Sequence, residues 1–104
     1  RGIYKMIVVN AKAKANKNNF IKLKDIINKL EQQTRKEKGC IDYSFSIDIN
    51  NENVLRITEL WEDLESLKNH LKAQHVDDFR AEMEKNPIEI QAHFYEAHEI
   101  TYPG

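Results

Sequence analysis

The spacing of apolar positions changes several times along the chain, and each change predicts an element. Ile3 to Ala13 is rich in β-branched and apolar residues and runs into the polar stretch Lys14 to Asn19, which predicts a first strand. Both alternation phases are apolar in its middle, with Met6 and Val8 on one face and Ile7 and Val9 on the other. Such a strand has to be covered on both sides. Phe20, Leu23, Ile27, Leu30 and Thr34 then recur at three- and four-residue steps, with Ile26 beside them, and predict one helix with a single apolar stripe. An asparagine among Asn16 to Asn19 is suited to cap its start. Lys36, Lys38 and Gly39 suit its end, because cations favour the negative pole of the helix and glycine tolerates a left-handed exit.

From Cys40 to Asp48 the chain alternates, with Ile41, Tyr43, Phe45 and Ile47 in one phase and Asp42, Ser44 and Ser46 in the other. Asn50 to Asn53 supplies a turn, and Val54 to Trp61 completes a hairpin. Asp63 caps a helical segment in which Leu64, Leu67 and Leu71 share a face. A second helical piece carries Phe79 and Met83 as far as Asn86-Pro87, where proline ends it. Ile88 to Ile100 alternates again and predicts the last strand.

The element order is β-α-β-β-α-β, which predicts an α+β ferredoxin-like sandwich with a four-stranded antiparallel sheet, one domain over residues 3–101. Two helices cover one face of such a sheet. The other face, given the doubly apolar first strand, calls for a partner, and a homodimer is expected. On this reading a charge at Ile7 or Val9 splits or unfolds the dimer.

Composition narrows the function classes. A net charge of -1 argues against a dedicated nucleic-acid binder, although nine basic residues crowd Lys12 to Lys38 and seven acids face only Arg56 between Asp42 and Glu65. Cys40 is the only cysteine, so there is no internal disulfide and no thiolate metal cluster, and a cytoplasmic home is expected. No apolar run reaches the ~20 residues of a membrane span.

Phosphate-cradling glycine loops are absent, since the only glycines are Gly2, Gly39 and Gly104. His70 and His75 are five apart, about 140° around a continuous helix, so a shared metal would need a break between them. His93 and His98 would project from opposite faces of a strand. Neither pair is read as a metal site.

A stronger signal is the block Glu59-Leu60-Trp61-Glu62-Asp63, followed by His70-Leu71, His75 and Phe79. Together with Asn10 on the first strand and Glu37-Lys38-Gly39-Cys40 closing the first helix, it resembles the antibiotic biosynthesis monooxygenase domain, a dimeric α/β-barrel family of ferredoxin-like fold. The resemblance implies a monooxygenase needing no metal, flavin or haem, in which an electron-rich quinol, phenol or polyketide-like aromatic itself reduces oxygen. It implies a pocket between the sheet and a helical lid. The catalytic candidates are His70, Asn10 and Trp61, and the substrate-binding candidates are His75, Phe79, Arg80 and Tyr43.

Each candidate also has a plain structural reading. Asn10 can satisfy backbone groups near a strand end, Trp61 can fill the core, and His70 can be a hydrogen-bonded core histidine beside Leu67 and Leu71. His75 can join two helical pieces, Glu59 can face solvent or pair with a lysine, and Cys40 can be a small packing residue. A haem-opening branch of the same superfamily has an Asn on the first strand, as Asn10 is here, but a Trp and a His where this chain has His70 and Arg80, so two of three positions depart. A branch that isomerises a phosphorylated sugar, and a non-catalytic ligand sensor, stay open. The RNA-recognition domain shares the element order, but the third strand has no Gly-aromatic pair and lies among acids.

Overall fold

A computed structural model describes residues 5–86 and 88–104. Its elements are β1 (Met6–Lys14), α1 (Lys17–Thr34), β2 (Cys40–Asp48), β3 (Asn51–Trp61), α2 (Leu64–His70), α3 (Gln74–Lys85) and β4 (Glu89–Ala97). The four strands form one antiparallel sheet in the order β2-β3-β1-β4, the ferredoxin-like arrangement expected, with the second helix split in two. Ile3 and Tyr4, read as the start of the first strand, and Pro87, read as a helix stop, lie outside the described residues.

Three boundaries differ from expectation. Strand β3 begins at Asn51, not Val54, because Asn51 pairs with Asp48 across a register shift and leaves only Ile49 and Asn50 in the turn. Helix α1 ends at Thr34, so Lys36 and Lys38 lie in the turn beyond it and no basic residue occupies its last turn. Strand β4 stops at Ala97, leaving Ile100 outside the sheet.

Helix α1 starts where Asn16 Oδ1 accepts the N–H of Asn19 at 3.1 Å, and its stripe buries Phe20, Leu23, Leu30 and Thr34. Facing it from the sheet are Ile7, Val9, Tyr43 and Trp61, joined by Leu67 of α2 and by Val76 and Phe79 of α3. Cross-strand partners share a face, so Ile7, Trp61, Val9 and Glu59 look toward the helices, whereas Val8, Leu60, Asn10 and Thr58 look away. This corrects the expectation for Ile7 and Val9. Both are core residues of the monomer, and a charge there would unfold the chain whatever its assembly. The outward phase carries Met6, Val8, Leu60, Tyr95 and Ala97 at one end and turns polar at Asn10, Thr58 and His93.

The two sheet edges are treated differently. On β2, the outward Phe45 N–H is accepted by Glu31 Oε2 at 2.7 Å, and the Tyr43 carbonyl accepts from Arg35 Nε at 2.9 Å, so side chains of the α1 end cover that edge. Strand β4, at the other edge, is exposed nearly throughout, with Phe94 58% exposed on the helix side.

The turn after α1 is locked to the turn before α2. Gly39 has φ +85°, a backbone state that favours glycine, and a Cβ there would meet Ser66 Oγ of α2. Its carbonyl accepts Glu62 N–H at 2.8 Å. Asp63 Oδ1 then caps α2 through Ser66 N–H at 2.8 Å. Glu37 and His70 are carried by these two tied segments.

Candidate active site

Trp61 ends β3 with 0% of its surface exposed, and nine residues on His70 ends α2 at 2%. Their ring centroids are 4.8 Å apart, and Tyr43 stands edge-on to His70 at 5.2 Å. Buried polar rings need partners. Trp61 Nε1 donates to Glu59 Oε1 at 2.9 Å, and His70 Nδ1 lies 2.8 Å from Glu37 Oε2. That same oxygen is 2.6 Å from Nε2 of His75.

His75 reaches Glu37 because the helix breaks. After His70 the chain turns through Leu71 to Ala73, with the Ala73 N–H bonding the His70 carbonyl, before α3 starts at Gln74. Arg80 Nη1 donates to the Leu71 carbonyl at 3.2 Å and so clamps the break from α3. The break that a metal shared by His70 and His75 would need is present.

An ionised carboxylate only accepts hydrogen bonds, so both imidazoles present N–H to Glu37. This fixes His70 in the Nδ1–H tautomer and leaves Nε2 with a free lone pair, with no hydrogen-bond partner among the described residues. Burial lowers the His70 pKa, opposed by the hydrogen bond and charge of Glu37, and the net direction favours the neutral, proton-accepting ring. Glu59 moves the other way. Burial raises its pKa, the Trp61 hydrogen bond opposes this, and the charge of Glu37 adds to the rise. The Tyr43 phenol is pushed well up by burial, so it stays protonated. The Cys40 thiol is pushed up to about 11, first by burial and then by Glu37 and Glu59, which suits a packing residue and not a nucleophile.

The other candidates separate. Phe79 is a core residue edge-on to Phe45 at 5.8 Å. Arg80 lies at the surface, paired to Asp77 and to the helix break. Asn10 is exposed on the sheet face away from the helices, paired with Thr58 and His93, so the structure does not bring it to Trp61 and His70. Two carboxylates beside His70 and Trp61 were not among the site candidates. Glu59 bonds Trp61 and does not pair with a lysine; its signal was parity, since residues 55, 57, 59 and 61 share one face. Glu37 offered no local signal beyond its place in the resembling Glu37–Cys40 segment.

Two clefts flank this cluster. One of about 310 Å³ lies between α2 and β4, lined by Ile7, Leu64, Leu67, Leu71, Phe94 and Tyr95 among others. The second, about 590 Å³, runs between α1 and the β2–β3 side of the sheet over Phe20, Ile27, Phe45 and Leu55. Neither is lined by His70, His75 or Trp61. Ile7 and Leu67, however, belong both to the smaller cleft and to the apolar cluster that contains Trp61.

The four-stranded sheet and its β-α-β-β-α-β order are the fold that the sequence resemblance implies. The family model for antibiotic biosynthesis monooxygenase matches residues 6–82, and the chain belongs to that family. A solved structure from Deinococcus radiodurans, described as a candidate antibiotic biosynthesis monooxygenase, is similar at 25% identity with a TM-score of 0.85, covering 94% of this chain and 99% of that one. A Bacteroides thetaiotaomicron protein of unknown function, for which an oxidoreductase role has been suggested, shares 26% identity with a TM-score of 0.82 over 90% of this chain and 99% of its own. A conserved protein from Methanosarcina mazei is similar at 26% identity with a TM-score of 0.81, covering 88% and 92%. No curated protein matches the chain.

Proposed function

We propose that this protein is a cofactor-independent monooxygenase that oxidises a quinol or a related phenolic aromatic with molecular oxygen. The observation that carries the reading is the buried His70 ring, held by the half-buried Glu37 and packed against Trp61, which presents a neutral imidazole with its Nε2 lone pair free. A general base needs that tautomer and a dry setting.

In the proposed reaction Nε2 of His70 takes the proton of a substrate hydroxyl. The resulting phenolate is electron-rich and passes one electron to oxygen. Recombination of the radical pair forms a carbon–oxygen bond to a ring carbon, the peroxide takes the proton back from His70, and the hydroperoxide loses water, with the ring C–H proton, to leave a quinone. A phenol with a free ortho or para C–H and one O₂ thus give a quinone and one water, and a quinol with a free ring C–H gives a hydroxyquinone and one water, with the substrate supplying all the electrons. The protein binds, deprotonates and excludes water, and no other reductant enters. The α2–β4 cleft is the proposed entry. Its volume falls in the ~300–1,000 Å³ range of small-molecule sites, its walls are apolar, and Leu67 and Ile7 belong both to its lining and to the Trp61 cluster.

The working unit is proposed to be a homodimer joined through the sheet face that carries Val8, Leu60 and Tyr95, in a reducing cytoplasm that suits the lone Cys40. No helix among the described residues is long and apolar enough to cross a membrane. Oxygen uptake with reduced quinones and dihydroxyaromatics, without added metal or flavin, tests the proposal.

A further inference from the structure

Glu37, His70 and His75 offer one carboxylate oxygen and two ring nitrogens, all within 4.8 Å of one another. We propose that these three side chains form a binding site for a divalent transition metal of the zinc type, and that metal bound there switches off the base of the proposed reaction. The second clause rests on the function proposed above, whereas the first stands without it.

The donor set is of the right kind. Two imidazoles and one carboxylate, with a fourth position left for water, is a common zinc arrangement. The donors come from three segments: the turn after α1, the end of α2 and the first turn of α3. An unbroken helix would aim the two histidines apart, and the clamped break at Leu71–Ala73 turns both onto one oxygen. Around zinc, with bonds of about 2.0–2.2 Å, tetrahedral donors stand roughly 3.3 Å apart. Glu37 Oε2 therefore has to draw back by about half an ångström, and the two ring nitrogens have to close by up to roughly 1.5 Å. Side-chain rotation supplies such shifts. The side chains of Glu37 and His75 are each 17% exposed, so an ion and its water can arrive from solvent on that side while His70 forms the inner wall.

The consequence for His70 follows from its tautomers. Without metal its Nδ1 carries the proton that Glu37 accepts, and Nε2 is the free base. Metal on Nδ1 takes that lone pair, so the neutral ring must carry its proton on Nε2. His75 changes in the opposite sense, with metal on Nε2 and the proton on Nδ1. No net proton need leave either ring. The nitrogen proposed to accept a proton from substrate becomes a donor.

The test is calorimetric titration of Zn²⁺ into the full chain after removal of adventitious metal with a chelator, beside ¹⁵N spectra of the histidine rings. One ion per chain should bind saturably, and the His70 signals should move to the Nε2–H pattern. Loss of an outer-sphere partner alone costs metal sites about 10–100-fold in affinity, so His75→Ala and Glu37→Ala should each lose at least that much. His93→Ala, on the opposite sheet face, should bind as the parent does. If Glu37→Ala fails to fold, His75→Ala at the partly exposed position carries the comparison. No saturable binding, or equal binding in His75→Ala, overturns the site. Binding that leaves oxygen uptake intact overturns the inhibitory clause alone. Uptake seen only when a metal is bound keeps the site and sinks both the inhibitory clause and the cofactor-free reading.

Discussion

Glu37 and His70 are 33 residues apart in the chain, yet Oε2 of one lies 2.8 Å from Nδ1 of the other. Removing that acceptor strands the N–H of a buried ring, and an unsatisfied buried donor costs about 1–3 kcal/mol. Glu37→Ala should lower stability to denaturant by roughly that amount, while Glu37→Gln, whose amide oxygen still accepts, should lose less. Urea unfolding of both variants checks this, and equal losses would show that the bond is not what matters.

Gly39→Ala tests how the pair is held. With φ +85° and Ser66 Oγ in the way, alanine must move the turn that carries Glu37 or the first turn of α2. A destabilisation of about 1–3 kcal/mol is expected, together with altered His70 ring shifts by NMR. An unchanged midpoint would mean that the two turns are not locked together.

Glu59 gives a pH prediction. Its folded pKa is raised above the unfolded value, mainly by burial, so the folded state holds the proton more tightly. The associated stability is fully present below the unfolded pKa and is lost as pH rises through the folded one. Glu59→Gln keeps an acceptor for Trp61 Nε1 and removes the buried charge. This variant should be the more stable protein at neutral pH, with the advantage shrinking toward pH ~4. A Gln variant less stable at neutral pH would mean that the charge-assisted bond to Trp61 outweighs desolvation.

The fold was legible because strand alternation, the α1 stripe and the Asn16 and Asp63 caps all act locally. Parity was harder on β1, where both phases are apolar and the sequence offers no way to assign Ile7 and Val9 to the monomer core or Asn10 to the far face. The aromatic and imidazole half of the site was visible through Glu-x-Trp and the paired histidines. Its carboxylate half was not, since Glu37 reaches the histidines only through the packing of one turn on another. A metal shared by His70 and His75 was expected to need a break between them, and the chain does break after His70 through packing that the sequence did not reveal.

The assembly prediction moves to the outward face. Val8 pairs with both Leu60 and Tyr95 there, so Val8→Asp should give a folded monomer at micromolar concentration, whereas Ile7→Asp should unfold. Sedimentation with circular dichroism separates the two results. A monomeric parent protein would refute the dimer.

Cys40 should be inert. A thiol pushed up to about 11 carries almost no thiolate at neutral pH, so alkylation of the native protein should be much slower than of the unfolded chain. Equal rates would contradict the burial that raises it.

Oxygen consumption in the presence of a chelator, measured with a panel of reduced quinones and dihydroxyaromatics, decides whether the protein is a cofactor-independent monooxygenase. Uptake matched to substrate loss is expected without added metal or flavin. His70→Ala, still folded, should turn over roughly 10²–10⁴-fold more slowly. No uptake with any member of the panel, or a folded His70→Ala protein as fast as its parent, would contradict it.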